Sequence, residues 1–196
     1  VLNGPLFVRL MFESLYQTDV IPAIPMIIND TEAGNYRGIA LLLNNMLTNQ
    51  QYVADGMHWS IQCGDEIRFG DKEESIKTEE QHLELGDYFD MGFYYDVCEI
   101  WDWREAHPIE NKAIVSDIPT LILAGEYDPI TPPSWGRDVS QGLDSSFFFT
   151  FPGTGHGVST SGRCPLQITK DFLESPSNEP DYKCISRLSS PRFYSN

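Results

Sequence analysis

Two residues in the second half of the chain have the types and the spacing for proton transfer. Asp128 lies in GEYDPITPPSWG (residues 125–136), directly after the apolar run IPTLILAG (118–125). His156 follows 28 residues later in PGTGHG, just past a second β-forming run, SSFFFTFPG (145–153). A carboxylate that fixes the tautomer of an imidazole turns that imidazole into a general base, the back half of an acyl-transfer triad. Either residue alone reads as an ordinary turn acid or a surface histidine. Together, past the ends of successive strands where open parallel sheets carry their chemistry, they read as an acid–base pair. Pro129, Pro132 and Pro133 restrict the backbone after Asp128 and so stiffen the turn that aims it. Gly153, Gly155 and Gly157 allow positive φ and a tight loop that can hold an imidazole over the sheet edge.

The elements that must position this pair follow a βα repeat. IPTLILAG is a continuous apolar run, as expected of a parallel strand covered on both faces. SWGRDVSQGL reads as a helix, SSFFFTFPG as a second strand and CPLQITKDFLES as a closing helix. The order Asp then His on successive strand ends is the order of the α/β-hydrolase triad, Ser…Asp…His. The expected fold class is therefore α/β, the C-terminal portion of an α/β-hydrolase fold carrying a mostly helical cap. Residues 1–116 form the cap, 117–185 the core segment of two strands and two helices, and 186–196 a tail.

Within the cap, GPLFVRLMFESLY (4–16) has Pro5 at a helix start and apolar residues at 8, 11, 12, 15 and 16, one face of a 3.6-residue period. YRGIALLLNNMLTN (36–49) repeats that pattern. HWSIQCGDE (58–66), a short apolar run ending in acids, reads as a strand near 60–65. GDYFDMGFYYDVCEIWDW (86–103) reads as a helix with one apolar face. Residues 71–110 hold thirteen Asp and Glu against three Lys and Arg, which reads as a solvated acidic face, with a substrate funnel as the other reading. Trp101, Trp103, Tyr94 and Tyr95 are read as core packing, with a substrate pocket as the other possible use.

The bulk composition excludes some partners. With 196 residues and 41% hydrophobic content the chain can bury a sizeable core. A formal net charge of −16 argues against nucleic acid and anionic membrane. No apolar run approaches the roughly 18 residues of a membrane span. The chain starts at Val1 without Met, which reads as a processed or cut chain whose targeting segment has been removed. Cys63, Cys98, Cys164 and Cys184 form no CxxC, and His58, His82 and His107 stand at no metal-ligand spacing, so neither a metal nor another cofactor is expected. Two disulfides and an oxidising compartment are the reading of the cysteines; four free core thiols in a cytosolic protein are the alternative.

LILAGEYDPITPP, then FPGTGHG, then GRCPLQITKDFLES and a late cysteine resemble the C-terminal part of the tripeptidyl-aminopeptidase-like branch of the proline iminopeptidase family of serine peptidases. The resemblance runs from about Ser60 to Ile185 and is strongest over 117–185; residues 1–59 resemble the preceding cap. It implies that Asp128 and His156 are the triad acid and base. Through SIQCGDE and CEIW it implies the pairs Cys63–Cys98 and Cys164–Cys184. It also implies a peptide substrate with a free N-terminus and a secreted or periplasmic location. Asp65 and Glu66 are then the substrate-binding candidates for the α-ammonium group, which a carboxylate holds by charge-assisted hydrogen bonds; two surface acids at a strand end are the other reading. One departure is large. The chain has no G-x-S-x-G; GVSTSG (157–162) lacks the spacing and follows the histidine. The nucleophile is expected in a missing N-terminal part, without which this chain is inactive. An esterase or amidase on the same fold, and a non-catalytic module derived from a hydrolase, are the competing functions.

Overall fold

The computed structural model describes residues 2–49, 54–82, 85, 90–101 and 106–194. Trp103 and parts of 86–103 lie outside them. The chain divides into two compact units. The first comprises residues 1–10 and 40–112, the second 11–39 and 113–196. The helical residues 11–39 thus group with the α/β segment, not with the rest of the expected cap.

The division falls within two helices, α1 (Gly4–Ser14) and α3 (Arg37–Asn49). Asn3 caps α1, its Oδ1 accepting the Leu6 N–H at 3.0 Å, and Pro5 sits in the first turn, where a missing N–H costs nothing. The first unit contains α4 (Asp55–Ile61), α5 (Lys72–Glu80) and α6 (Met91–Ile100). Asp71 and Asp90 cap the last two by accepting the N–H groups of Glu74 and Phe93, each at 2.9 Å.

The strand expected near 60–65 is not formed. α4 runs to Ile61 and continues as a π turn over Gln62–Glu66. A short apolar run does not by itself separate strand from helix. Here Trp59 packs against Phe93 and Tyr94 of α6, with ring centroids at 5.9 and 5.4 Å, and buried Cys63 is bonded to Cys98 on the same helix. Tyr94 and Tyr95 are half-buried, whereas Trp101 is exposed and donates its indole N–H to Ser60 Oγ at 3.2 Å.

The second unit is built on two parallel strands, β1 (Thr120–Gly125) and β2 (Ser146–Phe151), paired from Thr120↔Ser146 to Gly125↔Phe151. Between them runs α7 (Pro133–Ser140), and α8 (Arg163–Glu174) follows β2. Side chains alternate across the sheet, as the period of two requires. Ile122 and Phe148 lie against Gly136 of α7. Leu121, Leu123, Phe147, Phe149 and Phe151 face the other way, onto a core with Val158 and Ile168 of α8's side. α2 (Ile24–Glu32) and the turn before it, with Ile21 only 1% exposed, complete this unit.

The two cysteine pairs implied by the family resemblance are the ones the fold forms, Cys63–Cys98 and Cys164–Cys184. The second closes a loop of 20 residues and holds the segment around Cys184, Ile185 and Leu188 against the core beneath β2. In the chain-entropy treatment a loop of that length is worth about 3 kcal/mol. Replacing both Cys164 and Cys184 with Ala is therefore expected to lower the stability of the second unit by about 3 kcal/mol. Urea unfolding without reductant measures it, followed by tryptophan fluorescence in a background carrying Trp59→Phe, Trp101→Phe and Trp103→Phe, so that Trp135 alone reports. An unchanged midpoint would mean the tail packs as well without its covalent tie.

Candidate active site

The site is built at the C-terminal ends of the two parallel strands. β1 ends at Gly125 and the chain turns at once, with Asp128 N–H bonded back to the Gly125 carbonyl at 3.2 Å. Asp128 then folds its own following backbone around its carboxylate. Oδ1 accepts the N–H groups of Ile130 and Thr131, both at 2.9 Å, and Oδ2 accepts the Thr131 hydroxyl at 2.8 Å. This is the Asx arrangement that short acidic side chains favour in turns. Pro129 constrains the backbone before the two donors, and Pro132 and Pro133 lead into the first turn of α7.

The histidine loop is stitched to the acid loop by backbone bonds. Glu126 N–H donates to the Phe151 carbonyl at 3.1 Å and Tyr127 N–H to the Thr154 carbonyl at 2.9 Å. The Glu126 carboxylate accepts the Gly153 N–H at 2.7 Å. Gly153 and Gly157 adopt positive φ, 67° and 76°, as their types allow. Gly155 does not. Its lack of a side chain serves a close approach instead, because a Cβ there would strike the carbonyl of Leu15.

His156 Nδ1 lies 3.1 Å from Asp128 Oδ1 and 3.0 Å from Oδ2. The Asp128 side chain is 4% exposed and the imidazole 38%, so the acid is enclosed while the base meets solvent. Burial pushes the Asp128 carboxyl up, but the Thr131 N–H and hydroxyl, the Ile130 N–H and His156 outweigh it and hold the group below the usual carboxylate range. An ionised carboxylate only accepts hydrogen bonds, so Nδ1 carries the proton and Nε2 holds the lone pair. That is the tautomer a general base needs.

A carboxylate held low in the fold makes stability depend on acid. The unfolded chain protonates Asp128 near the ordinary value of 3.8, the folded chain only at lower pH. The stabilisation is complete above the ordinary carboxylate range and is lost as pH falls through it towards the folded value. Urea unfolding between about pH 6 and about pH 3 should show a steeper loss for the wild type than for Asp128→Asn. Parallel losses would mean that Asp128 titrates alike in both states.

Residues 86–184 match the family model described as TAP-like protein. The chain belongs to that α/β-hydrolase family. The match takes in Asp128, His156 and three of the cysteines, and it begins at 86, not near Ser60. Cys63, Asp65 and Glu66 lie outside the matched residues. No curated protein and no solved structure matches the chain.

Asp128 and His156 come together within the second unit. Asp65 and Glu66 belong to the first unit, on the π turn, Asp65 half-buried and Glu66 exposed. No group of three or more His, Cys, Asp or Glu among the described residues has the geometry to hold a metal. No helix among them is long and apolar enough to cross a membrane. Thr131 and Glu126 brace the site although neither was singled out from the sequence. An acid followed three residues later by a hydroxyl was a readable signal for Thr131, because that spacing suits an Asx turn.

Proposed function

We propose that this chain carries the acid and the base of a serine peptidase that acts near the free N-terminus of peptides, with Asp128 the acid and His156 the base. The observation that carries this reading is the buried Asp128 carboxylate, 3.0 and 3.1 Å from Nδ1 of a partly exposed imidazole. In the reaction, Nε2 takes the proton of an attacking hydroxyl as it adds to the substrate carbonyl. Asp128 stabilises the imidazolium that forms, which then protonates the leaving amine. The hydroxyl and the oxyanion-binding N–H groups come from a part of the protein outside these 196 residues, since the sequence has no G-x-S-x-G.

The β1 side of the sheet supports that division. Its apolar sequence is that of a strand covered on both faces, yet Leu121, Ile122 and Leu123 are only half-buried, and among the described residues β1 pairs with β2 alone. Ile114, Val115 and Ile118, which lead into it, are 72%, 82% and 67% exposed. Further strands beside β1 would cover these residues. A secreted or periplasmic location belongs to the same proposal, and the two disulfides support it.

Asp65, with Glu66 as the second choice, holds the substrate's ammonium group. Asp65 is the more buried of the two, and partial burial strengthens its attraction for a cation. Hydrogen bonds to charged groups are worth about 1.5–3 kcal/mol. Asp65→Asn is therefore expected to raise KM for free-amine peptides by about 10-fold or more and to leave N-acetylated peptides, already poor substrates, unchanged. Steady-state kinetics on matched substrate pairs is the test. If the wild type cleaves free and acetylated peptides equally well, there is no amine clamp, and the aminopeptidase reading fails.

A further inference from the structure

The acid loop is not the only structure that touches the histidine. The turn between α1 and α2 reaches it from far back in the chain, inside the same unit. The Tyr16 ring meets the His156 imidazole edge to face, with centroids 5.2 Å apart and planes at 65°. Phe12, one helical turn earlier, meets Tyr16 in the same manner at 6.1 Å. Two residues beyond Tyr16, Thr18 Oγ1 accepts the N–H of Gly155, the residue before His156, at 3.1 Å. The Leu15 carbonyl lies so close to Gly155 that it leaves no room for a Cβ. The hydrogen bond to Asp128 restrains the imidazole at Nδ1 alone and leaves the ring plane free to tilt about that contact. An edge-to-face neighbour removes this freedom, and such ring pairs contribute beyond the area they bury.

We propose that the turn between α1 and α2 is the positioning element of the general base. Tyr16 sets the plane of the imidazole and Thr18 anchors the loop that carries it. Neither touches the reacting atoms; both act through His156. The inference rests on the reading of His156 as the base, and the experiment separates the two.

The imidazole nitrogens of the 15N-labelled full chain are observed in long-range proton–nitrogen spectra, with the His156 signals identified by their loss in His156→Gln. The same variants are assayed for turnover in the full-length enzyme. The wild type is expected to hold neutral His156 in the Nδ1–H form. Tyr16→Leu and Thr18→Val should each give a mixture of tautomers and lower kcat by about 10-fold, with KM unchanged, as a small misplacement of a catalytic group does. Tyr16→Phe, which keeps the ring, and Thr18→Ser, which keeps the acceptor, should restore both readouts. If Tyr16→Leu does not fold, the Thr18→Val and Thr18→Ser pair decides by itself. Wild-type tautomer and wild-type kcat in the folded Leu and Val variants would overturn the proposal. A wild-type imidazole that carries its proton on Nε2 would overturn the acid–base reading beneath it, and the proposal with it.

Discussion

Asp128→Asn is expected to lower kcat by about 10⁴-fold while leaving KM nearly unchanged. The carboxylate is held by three donors besides the imidazole, two N–H groups and the Thr131 hydroxyl. Asparagine keeps the size and one acceptor oxygen but offers an NH₂ group at the other position. With the amide oxygen kept on the Ile130 and Thr131 N–H groups, the NH₂ points at the Thr131 hydroxyl and at Nδ1. Nδ1 must then accept, the ring proton moves to Nε2, and the base can no longer take a proton from a nucleophile. The charge that stabilised the imidazolium is lost as well. Substrate contacts are untouched, so the loss belongs to kcat. Steady-state kinetics of the full-length enzyme decides the matter, and a loss of less than about 10-fold would mean that Asp128 only shapes its turn.

Gly125→Ala is expected to damage both turnover and stability. A Cβ at Gly125 would overlap the backbone carbonyl of Gly155 and lie 2.6 Å from that of Thr154. Backbone cannot swing aside as a side-chain tip can, so the histidine loop has to move away from the acid loop. Displacement by a fraction of an ångström breaks the pairing of Nδ1 with Asp128, and a misplacement near 1 Å costs about 10²-fold in rate. Overpacking of this kind also costs about 1–3 kcal/mol of stability. Both variants lower kcat, Asp128→Asn through the tautomer and Gly125→Ala by displacing the histidine loop. Both also lower the urea midpoint at neutral pH, the first because it removes a carboxylate that the fold stabilises. A Gly125→Ala protein with the wild-type rate would mean that the strand end and the histidine loop can separate without consequence.

Much of the second unit was legible because its signals are local. The continuous apolar run of β1, the Phe-rich β2 and the amphipathic α8 each announce themselves within a dozen residues. Asp128 and His156 stand immediately after the strands, so the parallel pairing of β1 with β2 was enough to bring them to one edge. The run HWSIQCGDE reads as a strand because its apolar residues suit either structure; the partners on α6 that decide for helix lie 34 or 35 residues away. Gly155 was read as conformationally permissive, but what it provides is space for the Leu15 carbonyl. Tyr16 reads only as part of the apolar face of its helix, and nothing in the sequence ties it or Thr18 to the histidine. The bond from Gly155 to Thr18 spans 137 residues, and nothing in the local pattern at either end indicates the other.

The most direct measurement is the labelling of the full-length natural protein with a fluorophosphonate, followed by mass-spectrometric mapping of the adduct. The probe reacts with a serine hydroxyl whose proton is being removed by a neighbouring base. The expected result is one adduct, on a serine upstream of Val1, formed rapidly in the wild type and slowed by about 10⁴-fold or more in His156→Ala. Labelling at an equal rate in His156→Ala, or no adduct on any serine of the folded wild type, would contradict the assignment of Asp128 and His156 as the acid and base of a serine hydrolase.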